Sequence, residues 1–166
     1  MRAYISIFSL VLLTICAGCD TKDTVTPTYD DYFIKFFGNE GDQTGQGILV
    51  DETGIFAVGT TSINGDESKI YLVKSDFQGN VMWEQEFDQT TDPVVAVGMV
   101  RDQSGNIYIG ANIEHDEDLY DFYILKTDAN GGLLMEATFN VDDSGILYND
   151  FMESISINSE NQILLT

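Results

Sequence analysis

Two passages of this chain, some fifty residues apart, carry the same pattern. Gly54 and Gly59 of ETGIFAVGTT recur 51 residues on as Gly105 and Gly110 of QSGNIYIGAN. Tyr71, Lys74, Asp76 and Gly79 of IYLVKSDFQG recur 52 residues on as Tyr123, Lys126, Asp128 and Gly131 of FYILKTDANG. A third copy opens with SISINSENQILLT, where Thr166 takes the place of Gly59 and Gly110. A fixed period restricts the fold sharply, because each copy must be one small structural unit that buries its apolar faces by stacking on its neighbours.

The unit is built of strands. From Tyr32 onward short apolar runs alternate with Gly, Asn and Asp turns, and no 3.6-residue stripe of useful length appears. Strands are expected over residues 32–37, 46–51, 55–61, 69–75, 81–87, 94–101, 106–112, 121–127, 133–139, 152–158 and 162–166. Runs such as VVAVGMV and FYILK are apolar on both alternating faces, as in sheets covered on both sides. The expected fold class is therefore all-β, with antiparallel four-stranded units of about 51–52 residues. The glycines after Asp51 and Asp102 belong in turns with positive φ, while Gly59 and Gly110 inside strands imply close backbone approach. Lys74 and Lys126, ending their strands beside Asp76 and Asp128, are placed for a repeated ion pair at the turn.

Inside the unit stands DFQGNVMW, with Asp76, Gly79 and Trp83 spaced D-x-x-G-x-x-x-W. It resembles the tryptophan-docking repeats of quinoprotein-like and secreted bacterial repeat propellers. The resemblance implies that each unit is a β-propeller blade and that Trp83 packs between adjacent blades. In the second copy Asp128 and Gly131 match and Met135 replaces the Trp. Residues 32–166 then read as an incomplete β-propeller-like array, two blades plus the start of a third, with YFIKFF resembling a ring-closing strand. Closed rings use about four to eight blades, so the chain is expected to be a piece of a longer propeller and to associate through its open edges. Quinone-dependent dehydrogenases, the catalytic relatives, are far larger, and no cofactor is expected.

The N-terminus supplies an address. One charge at Arg2, an apolar segment over 4–15 (YISIFSLVLLTI), and small Ala17 and Gly18 before Cys19 make an export signal with its cleavage site. Ala3 to Gly18 is a stretch of only 16 residues, short of the ~20 that a spanning helix needs. The small-small-Cys ending resembles bacterial lipoproteins, with Cys16 where such motifs usually carry Leu. By that resemblance residues 1–18 are a signal peptide, Cys19 is lipidated and becomes the first residue, and residues 19–31 form a flexible tether, DTKDTVTPTYDD following the cysteine. An uncleaved anchor is the alternative. A redox C-x-x-C or a zinc site finds no partners, since Cys16 and Cys19 are the only cysteines and His115 the only histidine.

Against 7 Lys and Arg stand 28 Asp and Glu, a net charge of −21 that repels nucleic acid and the anionic inner leaflet. GNEGDQTGQG (38–47) lacks the Lys of a phosphate loop and leads into a strand. DDSGILYNDFME (142–153) has apolar Ile146 and Leu147 where a calcium loop needs an oxygen ligand and a Gly. EHDEDLYD (114–121) gathers Glu114, Asp116, Glu117, Asp118 and Asp121 around His115, a weak calcium candidate against a solvated loop. No nucleophile elbow or triad is visible, so no catalytic, cofactor or metal residue is assigned, and no enzyme activity is expected. Three functions stay open. They are a lipid-anchored binding module of the bacterial cell envelope, expected at the outer membrane, with a protein or glycan ligand; an inactive piece of a longer propeller lipoprotein; and an envelope glycan hydrolase with paired carboxylates.

Overall fold

The computed structural model describes residues 34–38, 40–63, 67–87, 90–115, 119–139 and 149–166. The signal segment, Cys19 and the tether lie outside them, as do Asp116, Glu117 and Asp118 and most of the 142–153 stretch. Every regular element among the described residues is a strand. β1 (Asp42–Asp51), β2 (Gly54–Ile63), β3 (Glu67–Ser75) and β4 (Val81–Phe87) form an antiparallel sheet in the order β1-β2-β3-β4, called sheet A below. β5 (Val94–Arg101), β6 (Ile107–His115), β7 (Leu119–Thr127) and β8 (Leu133–Phe139) repeat that order as sheet B. β9 (Ile155–Ile157) and β10 (Ile163–Leu165) form a hairpin.

Two expectations change. Ile34–Phe37, the described part of the strand expected over 32–37, joins no ladder among the described residues. Alternation of side chains shows that a segment can be a strand, and says nothing of whether an edge is free to receive it. Conversely, β1 starts at Asp42 inside the glycine-rich stretch, because pairing runs on from Asp51↔Gly54 to Asp42↔Ser62. Polar DQTG takes strand geometry from its neighbour β2.

The repeat extends to irregularities of register. β1 bulges between Gly45 and Gly47, and β5 between Ala96 and Gly98, leaving Gln46 and Val97 as the extra residues. β4 and β8 bulge in turn at Met82 and Leu134, opposite Lys74/Ser75 and Lys126/Thr127. Gly59 and Gly110 are not equivalent, however. Gly59 lies opposite Tyr71, whereas Ala111 lies opposite Tyr123 and Gly110 opposite Ile124. The second copy's turn, Asp102–Asn106, holds one residue more than Asp51–Gly54, and this is why the offset grows from 51 to 52 between the first strands and the second.

Four turns share one hydrogen-bonded design. In Asp76–Asn80 the Asp76 amide donates to the Asn80 carbonyl at 3.0 Å, and Asp76 Oδ1 accepts from the amides of Gln78 and Asn80 at 2.9 and 2.8 Å. Asp102–Asn106, Asp128–Gly132 and Asn158–Gln162 repeat these bonds. The left-handed residue before the last position is Gly79, Gly105 or Gly131 in three of them and Asn161 (φ 60°) in the fourth, the two residue types that tolerate it best.

The sheets share one core. Phe56, Val58, Ile70, Leu72 and Phe87 of sheet A meet Ile107, Ile109, Ala111, Ile113, Tyr123 and Leu125 of sheet B. Each large aliphatic side chain removed from water here contributes about 1.5–3 kcal/mol. Polar side chains stitch each unit to the next at one repeated position. Thr60 Oγ1 accepts from the buried Ala96 amide at 2.9 Å. Its equivalent, Asn112, accepts from the Met152 amide at 2.7 Å and donates to the Met152 carbonyl at 3.0 Å. Trp83 meets Phe56 edge-on at 5.9 Å, and a Cβ on Gly131 would lie 2.9 Å from its ring, so the indole does pack between the sheets.

Candidate binding site

The first strands of the units lie side by side, β5 against β1 and β9 against β5. Their bulges turn Gln46 and Val97 out of the ladders toward a cavity of about 310 Å³, lined also by Val95, Phe151, Met152 and Glu153. Asn112 reaches its wall but is spent on the Met152 main chain. The free chemistry is therefore an exposed amide, Gln46, an exposed carboxylate, Glu153, and the apolar surfaces of Val95 and Phe151. Such a set offers hydrogen-bonding groups beside apolar surface. Bulges next to strand ladders commonly serve to re-aim side chains in this way.

Other polar clusters are structural repeats. Tyr71 donates to Glu84 at 2.6 Å, and Tyr123 donates to Glu136 at 2.9 Å. Burial first, and then the bonded glutamate, push both phenols above their ordinary range. Lys74 and Lys126 do not pair with Asp76 and Asp128 as expected. Lys74 donates to Thr53 at 2.7 Å above the Phe56 ring, and Lys126 lies over Tyr108, 3.9 Å from Asp102. Strand pairing brings each lysine to the preceding turn, which the linear sequence places some twenty residues away.

Asp51 pairs with Arg101, joining a turn of sheet A to the end of β5. Burial raises its carboxyl, but the Thr53 hydroxyl and amide with Arg101 and Lys74 outweigh that and leave it below the usual value. Asp102 follows the same balance, with Asn106, Ser104 and Lys126 overcoming burial. Asp76 is lowered chiefly by the side chain and amide of Asn80.

His115 is not a bare loop residue. Its Nδ1 lies 2.8 Å from Asp92 and its Nε2 3.2 Å from Asp121, so both nitrogens are occupied by carboxylates. Of the 114–121 cluster the described members are Glu114, His115 and Asp121. Among the described residues no three His, Cys, Asp or Glu side chains gather to hold a metal ion.

No family model and no curated protein matches the chain. Thr60, Asn112 and the His115–Asp92 contact were not legible as partners in the sequence. One missed signal was present: DFQGN, DQSGN and DANGG begin at Asp76, Asp102 and Asp128, a spacing of 26 residues that marks each hairpin as a half-repeat.

Proposed function

We propose that this chain is a lipid-anchored, noncatalytic, β-propeller-like binding module of the bacterial cell envelope. Cys19 carries the lipid, and the bulged first strands meet a protein or glycan ligand. The observation that supports the reading best is the repeated hand-over between units. Sheets A and B have the same strand order and bulges, and Thr60 and Asn112 bond to the next unit from the same position. Units related in this way, with first strands adjacent, follow the logic of successive blades. Anchoring rests on Ala17-Gly18-Cys19 after the apolar segment. Two or more acyl chains would make attachment stable, at about 0.8 kcal/mol per buried methylene.

The test has two arms. In a bacterial host, mass spectrometry should find Cys19 as the first residue, acylated, and Cys19→Ala should leave the chain unprocessed or release it. A membrane-free chain still beginning at Met1 would refute the anchor. Glycan and peptide arrays should give a ligand whose binding falls with Gln46→Ala or Phe151→Ala. Hydrolysis of a glycan panel that disappears on carboxylate substitution would refute the noncatalytic reading.

A further inference from the structure

The cavity beside the bulges carries one charged group, and among the described residues nothing neutralises it. Glu153 is exposed, and its carboxylate makes no hydrogen bond or ion pair with a described residue. Every described Lys and Arg stands elsewhere. Lys74 bonds to Thr53 above Phe56, Lys126 lies over Tyr108 beside Asp102, and Arg101 pairs with Asp51. Lys69 lines a separate cavity with Thr90 and Asp92, and Lys35 another with Tyr71 and Val73.

A solvated carboxylate by itself selects nothing, but the setting of this one does. Met152 is fully buried and clamped at both main-chain atoms by Asn112, so its exposed neighbours Phe151 and Glu153 project from a fixed wall. Phe151 is 56% exposed and is braced edge-on by Tyr120, with ring centroids 5.5 Å apart. Gln46, the extra residue of the β1 bulge, lines the same cavity, and Val95 and Val97 of β5 give it an apolar side. A carboxylate, an amide oxygen, an aromatic ring and aliphatic surface thus line one space of about 310 Å³.

The complement of that set is a flat cation with several N–H donors on an aliphatic stem. A guanidinium bonds a carboxylate through two parallel N–H groups, stacks on an aromatic ring, and trails methylenes that cover apolar surface. A neutral sugar would leave the charge of Glu153 unmatched. An anion would be repelled by Glu153 and by the net charge of −21.

On the reading of this chain as a binding module, we infer that the cavity takes an arginine side chain of a partner protein, with Glu153 and Gln46 accepting its N–H groups and Phe151 against its plane. The acidic body of the chain draws such a partner in, and the three side chains hold it.

The test uses the full-length chain in mild detergent on a peptide array in which each arginine peptide has a citrulline twin, similar in shape and uncharged. The strongest pairs are then measured in solution by calorimetry. Arginine should bind at least about tenfold more tightly than citrulline, and the preference should shrink as salt rises. Glu153→Gln, nearly isosteric, should remove most of that preference, and Phe151→Ala should weaken the arginine peptide by about fivefold or more. Glu160→Gln, beyond the other end of β9, removes the same charge and should leave the preference intact, which separates local pairing from the overall field. Citrulline binding as well as arginine, or an arginine preference that survives Glu153→Gln, would overturn the inference. A neutral glycan ligand that is lost with Gln46→Ala and Phe151→Ala but indifferent to Glu153→Gln would also overturn it, while keeping the binding module. Absence of any ligand on glycan and peptide arrays alike would overturn both.

Discussion

Asn112 offers the sharpest measure of how one unit is fastened to the next. It is 1% exposed, and both ends of its amide are committed to the main chain of Met152, itself fully buried. Asn112→Ala removes an acceptor and a donor together and leaves the Met152 N–H and C=O without these partners in a buried interface. A stranded buried polar group costs about 1–3 kcal/mol, so the pair should cost about 2–4 kcal/mol. Thr60→Val, nearly isosteric, removes one acceptor from the Ala96 amide and should cost about 1–2 kcal/mol. Asn112→Asp would still accept from the Met152 amide but would turn a charged oxygen toward its carbonyl, and should be worse than Ala. Urea unfolding followed by far-ultraviolet circular dichroism gives the free energies, and hydrogen exchange of the 149–158 peptide reports locally. The Thr60 and Asn112 changes lie at different interfaces and should add to within about 0.5 kcal/mol. An Asn112→Ala protein within about 0.5 kcal/mol of the parent, with unchanged exchange at Met152, would refute the idea that this bond pair holds the third unit.

Acid should destabilise the protein through its turns. The Asp51, Asp76 and Asp102 carboxyls are all lowered in the folded state, so their contribution is present above the ordinary carboxylate pKa and is lost as pH falls through the depressed values. The melting temperature should hold down to about pH 5 and fall below about pH 4. Asp76→Asn with Asp102→Asn should flatten that fall, because Asn158 already makes the same turn without titrating. Gly131→Ala places a methyl group against Trp83 at a residue with φ 83°, and should cost more than the ~1 kcal/mol of an ordinary Gly-to-Ala backbone mismatch. Trp83 is the only tryptophan, so an unshifted emission spectrum and unchanged stability would disprove the contact. Among the described residues the fully buried Thr127 hydroxyl has no hydrogen-bond partner, so Thr127→Val should raise stability by about 1 kcal/mol, and a loss of stability in the same urea assay would show that the hydroxyl is satisfied.

The sequence by itself determined the class of structure and its period. Alternating apolar runs, Asp and Gly turns and the repeated Tyr-x-x-Lys-x-Asp-x-x-Gly pattern dictate antiparallel four-stranded units. These are local consequences of side-chain alternation and turn chemistry, which a linear chain displays directly. Register was beyond it. Whether Gly110 or Ala111 stands opposite the repeated tyrosine depends on one added residue in the Asp102–Asn106 turn, and one residue of slip exchanges the two faces of a strand. The partners of Lys74, Asn112 and His115 likewise come from strands or loops brought alongside by pairing and stacking. Only tertiary structure decided that polar DQTG would be strand while apolar IKFF would stay without a ladder, because a strand exists by virtue of an edge that accepts it and not by its own composition alone.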